Sequence, residues 1–220
     1  MIPEINGRLR SHMIRVPEEI WQVHGIKIFG KLIRAIVFST DIAIIKNINA
    51  DAVIAVYPFT AQPVINQAII TAADIPVFIG VGGGVTGGQR AVNMAMQAEH
   101  QGARGVVLNV PTKNEVLKAV YAVVDIPIIV TVLSSDKDMI RERLESNVAI
   151  LNVSAGDKTP QVVSEIKNSF PQAVIMATGG PTPESIKETI AAGADAITWT
   201  PPTTAQISKE MMKNYRYEYI

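Results

Sequence analysis

Short apolar runs alternate with stretches of helical periodicity from about residue 34 to the end of the chain. The runs are continuously apolar, as strands are when both faces of a parallel sheet are covered. Eight runs occur, at residues 35–39, 52–57, 77–81, 105–110, 128–133, 148–153, 174–177 and 196–199. Helices are predicted after them at 41–48, 62–73, 89–101, 114–124, 138–146, 160–169, 183–192 and 205–214. This alternation predicts an α/β protein, a single (β/α)8 TIM barrel.

An internal repeat supports closure of the sheet into a barrel. Similar short segments, beginning at Asn49, Gln101 and Ala192, lead into even-numbered strands, and Asp-Ile-Pro segments at Asp74 and Asp125 lead into odd-numbered ones. The repeating unit is therefore two strands with two helices, and four such units make a barrel. An open doubly wound sheet would tolerate this regularity without requiring it.

Residues 1–34 precede the pattern and are predicted to be an N-terminal helical extension of the barrel, which spans residues 35–220. Pro17 stands where a helix begins and is followed by two acidic residues, as in a first helical turn. The extension either covers one end of the barrel or packs on a second subunit. Its basic residues are Arg8, Arg10, His12 and Arg15.

Composition excludes several classes of function. Lys and Arg number 20, as do Asp and Glu, so the formal net charge is zero and no nucleic-acid surface or polybasic membrane patch is indicated. The chain has no Cys, which excludes disulfides and thiolate chemistry. No apolar run is long enough to span a membrane. These features predict a cytoplasmic protein that acts on a small molecule.

The segment from Val174 to Glu184 has the pattern of a strand that delivers a loop to a ligand. Gly179 and Gly180 let the backbone approach a ligand closely, and Thr182 is placed to cap the next helix. The free N–H groups of that helix would favour an anion. A plain strand-to-helix turn without a ligand fits the same residues.

The Gly-Ala-Asp-Ala-Ile segment that begins at Gly193, after the Thr-Gly-Gly turn that begins at Thr178, resembles the ribulose-phosphate-binding class of barrels. This class includes keto-deoxy-sugar-phosphate aldolases and thiamine phosphate synthase. The resemblance implies a phosphate cup formed by Gly179, Gly180 and the turn after the last strand. That turn begins here with Thr200 and two prolines instead of Gly-Ser or Gly-Thr. Prolines donate no N–H, so hydroxyls of Thr203 and Thr204 would have to complete the cup.

The whole sequence also resembles an uncharacterised bacterial family that is loosely labelled "hydrolase". No hydrolase motif supports that label in this chain. The Schiff-base mechanism of aldolases lacks its nucleophile here as well, because no Lys lies on a late strand. No His lies at a strand end either; His100 ends a helix, where a cation is structurally favourable.

Two asparagines occupy matching places near the carboxyl ends of predicted even-numbered strands. Asn109 and Asn152 both follow Leu and precede Val, which places them in one interior layer of a barrel together with Thr200. A buried Asn needs hydrogen-bond partners, so the pair predicts a polar pocket floor beside Thr178. The alternative is that both asparagines satisfy loop backbone.

The segment 80–88 contains a G-x-G-x-x-G pattern that begins at Gly82. A dinucleotide site would also need an acidic residue at the end of the next strand, where this chain has Asn109. No nicotinamide or flavin cofactor is therefore expected.

The same glycines are more typical of a loop over the barrel mouth, so Gly82, Gly83 and Gly84 are predicted to approach the ligand. Arg90 lies in the first turn of the following helix. It either reaches an anion or is solvated.

Asp41 directly follows the first barrel strand and is the candidate catalytic residue. It serves as a helix N-cap, as a general base or as a metal ligand. Asp136 and Asp157 follow later strands, and three converging carboxylates would hold Mg²⁺, but spacing does not show convergence. Mg²⁺ stays a candidate cofactor, and no residue is assigned as a metal ligand.

These features predict an enzyme of the lyase, isomerase or hydrolase type that acts on a small anionic metabolite, phosphorylated or carboxylated. Asp41 would be its acid or base, and Asn109 and Asn152 would orient the ligand. The alternative is a metabolite-binding or regulatory barrel without catalysis, which the shortage of acid–base groups favours. The N-terminal extension and the aromatic tail that begins at Tyr215 predict a homo-oligomer.

Overall fold

A computed structural model describes residues 13–218, apart from the side chains of Asn214, Tyr217 and Glu218. The strands are β1 (Ile26–Ile28), β2 (Lys31–Ile33), β3 (Ala35–Phe38), β4 (Ala52–Ala55), β5 (Val77–Gly82), β6 (Gly105–Leu108), β7 (Ile128–Val132), β8 (Ile150–Val153), β9 (Ile175–Thr178) and β10 (Ala196–Trp199). The α-helices are α1 (Ile42–Lys46), α2 (Pro63–Ala72), α3 (Gly88–His100), α4 (Asn114–Tyr121), α5 (Lys137–Glu145), α6 (Thr159–Ser169), α7 (Pro183–Ala191) and α8 (Thr204–Glu218).

The eight strands β3 to β10 form a closed barrel, which confirms the predicted fold. All neighbouring barrel strands are parallel, and the ring closes where β10 pairs with β3, with Ile197 opposite Ala35. Each strand is followed by one of the helices α1 to α8, so every helix begins on the side where the strands end.

The barrel interior is filled by side chains and is not a pore. Alternate residues of the strands point inward and form one buried cluster, which includes Ile36, Ile54, Phe78, Ile129 and Met176. The residues between them face the helices and form a second, larger cluster. Polar side chains at the carboxyl ends of the strands also lie on the inward faces, beyond the first cluster.

The N-terminal segment differs in detail from the helix predicted there. Its described helix is a 3-10 helix, Glu18–Gln22, and the hairpin of β1 and β2 follows. Phe29 and Gly30 connect the two strands with positive φ angles of 45° and 82°, the backbone that a type I′ hairpin turn requires. Arg8, Arg10 and His12 lie outside the described residues, and the division at residue 34 stays a prediction.

The hairpin closes the amino end of the barrel. Ile33 is 1% exposed and belongs to the interior cluster, and Ile26 and Ile28 pack against that cluster. The 3-10 helix packs on α7, and its Ile20 is fully buried. The interior is therefore covered at this end. Among the described helices, none combines the length and the apolar character needed to cross a bilayer.

Candidate ligand site at the barrel mouth

Three polar side chains on neighbouring strands form a hydrogen-bonded chain inside the carboxyl end of the barrel. Thr131 on β7 donates its hydroxyl hydrogen to Oδ1 of Asn109, which follows β6, at 2.5 Å. Nδ2 of Asn152 on β8 donates to Thr131 Oγ1 at 3.1 Å. Asn109 and Asn152 are thus brought together through Thr131. We call these three residues the polar chain.

Two buried polar atoms on inward-facing residues of β8 and β10 have no partner among the described residues. They are Asn152 Oδ1 and Thr198 Oγ1, in side chains of residues that are 8% and 4% exposed. Thr198 lies on β10 opposite Thr178 of β9, whose hydroxyl donates to Ser154 Oγ at 3.3 Å. Buried polar groups are nearly always hydrogen-bonded, so unpartnered ones mark a place where a ligand or water completes the set.

The glycine segment after β5 holds Asn109 in place. Gly83 has a φ angle of 109°, and a Cβ atom there would lie 2.7 Å from the carbonyl oxygen of Asn109. The Asn109 N–H donates to Gly82 O at 3.0 Å, and Thr112 Oγ1 donates to Asn109 O at 2.7 Å. The backbone of Asn109 is held by these contacts, and its side chain is held separately by the hydrogen bond from Thr131.

A cavity of about 50 Å³ opens at this side of the mouth. It is lined by Val56, Tyr57, Phe59, Ala61, Gly80, Gly82, Gly83, Thr86 and Asn109. Gly82 and Gly83 therefore share one cavity with Asn109. Gly84 does not line it, and instead lines, with Lys113, an adjacent cavity of about 290 Å³ that shares Gly83 and Thr86 with the first.

Gly179 and Gly180 lie where β9 turns into α7, at a second part of the rim. A Cβ on Gly179 would be 2.7 Å from Ile197 Cγ2 and 3.0 Å from Ile186 Cγ1, so Gly179 allows α7 to pack closely on β10. Gly180 has a φ angle of 79°. Thr182 caps α7 and forms a reciprocal capping box with Ser185. An anion at this turn stays a prediction.

The residues expected to complete the phosphate cup have other contacts or none. Thr200 is exposed beyond the end of β10 and does not join the polar chain. Thr203 Oγ1 donates to Gln206 Oε1 at 2.9 Å, and Thr204 Oγ1 donates to Asp41 Oδ2. The Thr203 hydroxyl thus contacts the first turn of α8, and the Thr204 hydroxyl links the start of α8 to the start of α1.

Asp41 is the N-cap of α1. Its Oδ1 accepts hydrogen bonds from the N–H groups of Ala43 and Ile44, at 2.8 and 3.3 Å, and its Oδ2 accepts one from Thr204. The Thr204 hydrogen bond, together with those two N–H groups, lowers the pKa of Asp41 against the opposing effect of burial. A carboxylate held this way favours its charged form, and its role as general base stays a prediction.

The charged side chains near the rim do not converge on the polar chain. Arg90 is exposed in the first turn of α3, and Asp136 caps α5 by accepting from the N–H of Met139. Within residues 13–218, no group of three His, Cys, Asp or Glu side chains is placed to hold a metal ion. Mg²⁺ is commonly held by one or two carboxylates together with the ligand, so it stays a candidate cofactor.

Comparison with known proteins identifies the fold and not the family. No family model matches the chain, and no curated protein matches it. A Burkholderia cenocepacia protein provisionally named a phosphonomutase is 14% identical, with a TM-score of 0.64 over 90% of this chain and 98% of that one. A phosphonopyruvate hydrolase solved with oxalate and Mg²⁺ is 14% identical, with a TM-score of 0.64 over 84% of this chain and 82% of that one.

A third similar structure is a dihydrodipicolinate synthase from Bacillus anthracis, 14% identical with a TM-score of 0.59 over 84% of this chain and 76% of that one. Similarity at this level of identity establishes the barrel alone. It does not single out the ribulose-phosphate-binding class.

Proposed function

We propose that the protein is an enzyme that converts a small anionic metabolite at the carboxyl-end mouth, by a reaction of the lyase, isomerase or hydrolase type. The observation that carries the proposal is the pair of buried unpartnered atoms, Asn152 Oδ1 and Thr198 Oγ1, on inward-facing residues of β8 and β10. Leaving such a group unpaired costs about 1–3 kcal/mol, a cost that proteins retain mainly at functional sites. The similar barrels named as mutase, hydrolase and synthase support catalysis by analogy.

The electrostatics of the rim support an anionic ligand. Every barrel helix begins at this end, so the positive ends of the helix dipoles face the mouth. The polar chain and the residues that line the 50 Å³ cavity are all uncharged, so no carboxylate among them would repel an anion. The turn at Gly179 and Gly180, before α7, is the proposed place for a phosphate or carboxylate group.

The proposed roles follow from these positions. Asn109 and Asn152 orient the ligand, and Gly82 and Gly83 let it approach the end of β5. Asp41 is the proposed acid or base, because it is the carboxylate at the end of the first barrel strand. The remaining proposed contacts are Thr178, Thr200, Gly84 and Arg90.

A non-catalytic binding barrel is the second candidate, and one observation favours it. Tyr57 is the sole ionisable residue that lines the 50 Å³ cavity, and its hydroxyl donates to Asn66 Oδ1 at 3.1 Å while accepting from the Gln62 N–H at 2.8 Å. A group engaged in this way is poorly placed to move a proton for a ligand.

A two-stage experiment separates the two candidates. Thermal-shift measurements with carboxylated and phosphorylated metabolites identify ligands, and each ligand is then assayed for turnover. Asn109→Ala is expected to remove the thermal shift, because it removes the end of the polar chain. Turnover of a bound ligand supports the enzyme. A ligand that binds tightly and is never converted supports the binding barrel.

A homo-oligomer and a cytoplasmic location complete the proposal. On α8, Met212 and Tyr215 are 49% and 45% exposed, and such apolar surface suits a contact with a second copy. Light scattering coupled to size-exclusion chromatography measures the mass in solution. A mass of one chain, 23.8 kDa, would contradict the oligomer.

A further inference from the structure

The polar chain runs in one direction in the structure. A hydroxyl has a single hydrogen, and Thr131 gives this hydrogen to Asn109 Oδ1. With Asn109 in this orientation, the Thr131 oxygen is an acceptor toward Asn152, which presents its Nδ2. Oδ1 is then the unpartnered atom of the Asn152 amide.

An unpartnered amide oxygen selects the kind of group that can approach it. Asn152 Oδ1 can accept hydrogen bonds and cannot donate one. A carboxylate or a fully ionised phosphate brings only acceptor oxygens. Such an oxygen would face Asn152 Oδ1 with no hydrogen between the two acceptors, which is repulsive. The Thr198 hydroxyl, by contrast, can donate or accept. A ligand that satisfies both atoms must bring a hydrogen, on oxygen or nitrogen.

The depth of the two atoms limits the size of that group. Asn152 and Thr198 are 8% and 4% exposed, whereas Leu133, the first residue after the end of β7, is 54% exposed. A hydroxyl on a short carbon skeleton is small enough to reach such a position. The anionic part of the same ligand would stay nearer the rim, where the helices begin.

We propose that the ligand is a hydroxylated anion, a hydroxy acid or a polyol phosphate, whose hydroxyl donates to Asn152 Oδ1 and contacts Thr198 Oγ1. This inference rests on the proposed function and adds the chemical class of the ligand. Acids with acceptor oxygens alone leave Asn152 Oδ1 unpaired and bind more weakly.

Matched ligand pairs test the inference by titration calorimetry on the full chain. The pairs are glycerol 3-phosphate with propyl phosphate, glycerate with propionate, and tartrate with succinate. The hydroxylated member of at least one pair is expected to bind tenfold or more tightly than its partner, about the value of one buried hydrogen bond. In a variant with Asn152→Leu and Thr198→Val, that difference is expected to disappear.

The outcomes separate the two proposals. If the hydroxyl-free member binds as tightly as its partner in every pair that binds, or if only hydroxyl-free anions of the wider set bind, the hydroxyl requirement is wrong and the anion site stands. If neither these pairs nor the wider set of carboxylates and phosphates binds, the proposed function is wrong and this inference fails with it.

A measurement without any ligand gives an independent test. Thr198→Val removes a buried hydroxyl that has no partner and keeps its shape, so Tm is expected to be unchanged or higher. Thr131→Val is the matched control, because it removes a hydroxyl with two partners, and its Tm is expected to fall. A fall for Thr198→Val as large as for Thr131→Val would mean that the Thr198 hydroxyl serves the fold, and would overturn the inference.

Discussion

Thr131 links the two asparagines at the mouth of the barrel. It joins Asn109 to Asn152 by one donated and one accepted hydrogen bond, across three neighbouring strands. Without it, Asn109 Oδ1 and Asn152 Nδ2 would both lose a partner in a partly buried position. The orientation of both amides therefore depends on one hydroxyl group.

Replacing Thr131 with Val is expected to lower the free energy of unfolding by about 1–3 kcal/mol, because it leaves two polar groups unpaired without changing the packed volume. Urea denaturation measures the change. An unfolding free energy equal to that of the wild type would mean that water replaces the hydroxyl and that the polar chain does not hold the mouth together.

Asp41 combines a structural role with a proposed catalytic one, and two substitutions separate them. Asn is as good an N-cap as Asp, so Asp41→Asn keeps the cap and is expected to lose only the part of the stability that the charge supplies, whereas Asp41→Ala is expected to lose about 0.5–2 kcal/mol. If Asp41 is the acid or base, Asp41→Asn abolishes turnover while the stability that the cap supplies is retained. Unchanged turnover in that variant would remove Asp41 from the mechanism.

The lowered pKa of Asp41 predicts a pH dependence with a definite sign. The folded state binds the proton less tightly than the unfolded state, whose reference pKa is 3.8. The stabilisation is therefore complete above that value and is lost as the pH falls through the lower folded pKa. Urea denaturation of wild type and Asp41→Ala is expected to give curves that converge only below about pH 3.8. Equal unfolding free energies of the two proteins at neutral pH would contradict a stabilising charge on Asp41.

Gly179 is expected to tolerate no side chain. A Cβ would lie 2.7 Å from Ile197 Cγ2, and overpacking of this kind costs about 1–3 kcal/mol. Gly87→Ala is the matched control, because nothing lies within 4 Å of its Cβ position and its φ angle of −141° suits any residue. Thermal unfolding of both variants measures the difference. Equal Tm values would show that α7 shifts to accept the methyl group.

The sequence is informative about the site where a residue type is unusual for its surroundings. Asn109 and Asn152 stand out because Asn is rare in a buried strand, and their matching contexts predict that they lie close together. Thr131 and Thr198 are as important as the asparagines in the proposed site, but nothing in the sequence distinguishes them from other strand residues. A β-branched Thr fits an apolar strand, and only the register shows which hydroxyls face inward.

Among the elements, the hairpin of β1 and β2 has the clearest division of faces. Ile33 is 1% exposed against the barrel interior, and its neighbour Leu32 is 48% exposed. Ile33→Ala is expected to lower the free energy of unfolding by about 2–5 kcal/mol, as for other buried aliphatic truncations. Leu32→Ala is the control and is expected to change it by about 0.5 kcal/mol or less. Similar losses of unfolding free energy in both variants would mean that the hairpin does not close the amino end of the barrel.

The strands of the barrel can be predicted from the sequence, whereas the hairpin of β1 and β2 gives a weaker sequence signal. Continuous apolar runs predict the barrel strands to within about two residues at each end, because strands covered on both faces tolerate few polar residues. The hairpin strands have three residues each, too few for periodicity to stand out. Its signal is Gly30 between two short alternating segments, joined by a turn that also places Phe29 at positive φ.

At the scale of the whole molecule, closure of the ring is what brings distant segments together. Asn109 and Thr198 come from opposite halves of the chain, yet both belong to the mouth, because β10 pairs with β3 and completes the circle. The count of eight units and the internal repeat predict this closure. Which polar atoms remain unpaired depends on side-chain register, which no repeat pattern specifies.

The hairpin that seals the amino end has a kinetic consequence. Because side chains fill the interior and Ile26, Ile28 and Ile33 cover its amino end, a reactant converted at the proposed site and its product would both pass through the mouth. Such an enzyme would admit a new reactant only after the previous product has left. Product added to an assay is therefore expected to compete with the reactant, raising the apparent KM and leaving kcat unchanged. Inhibition that instead lowered kcat at constant KM would mean that the two molecules occupy separate places.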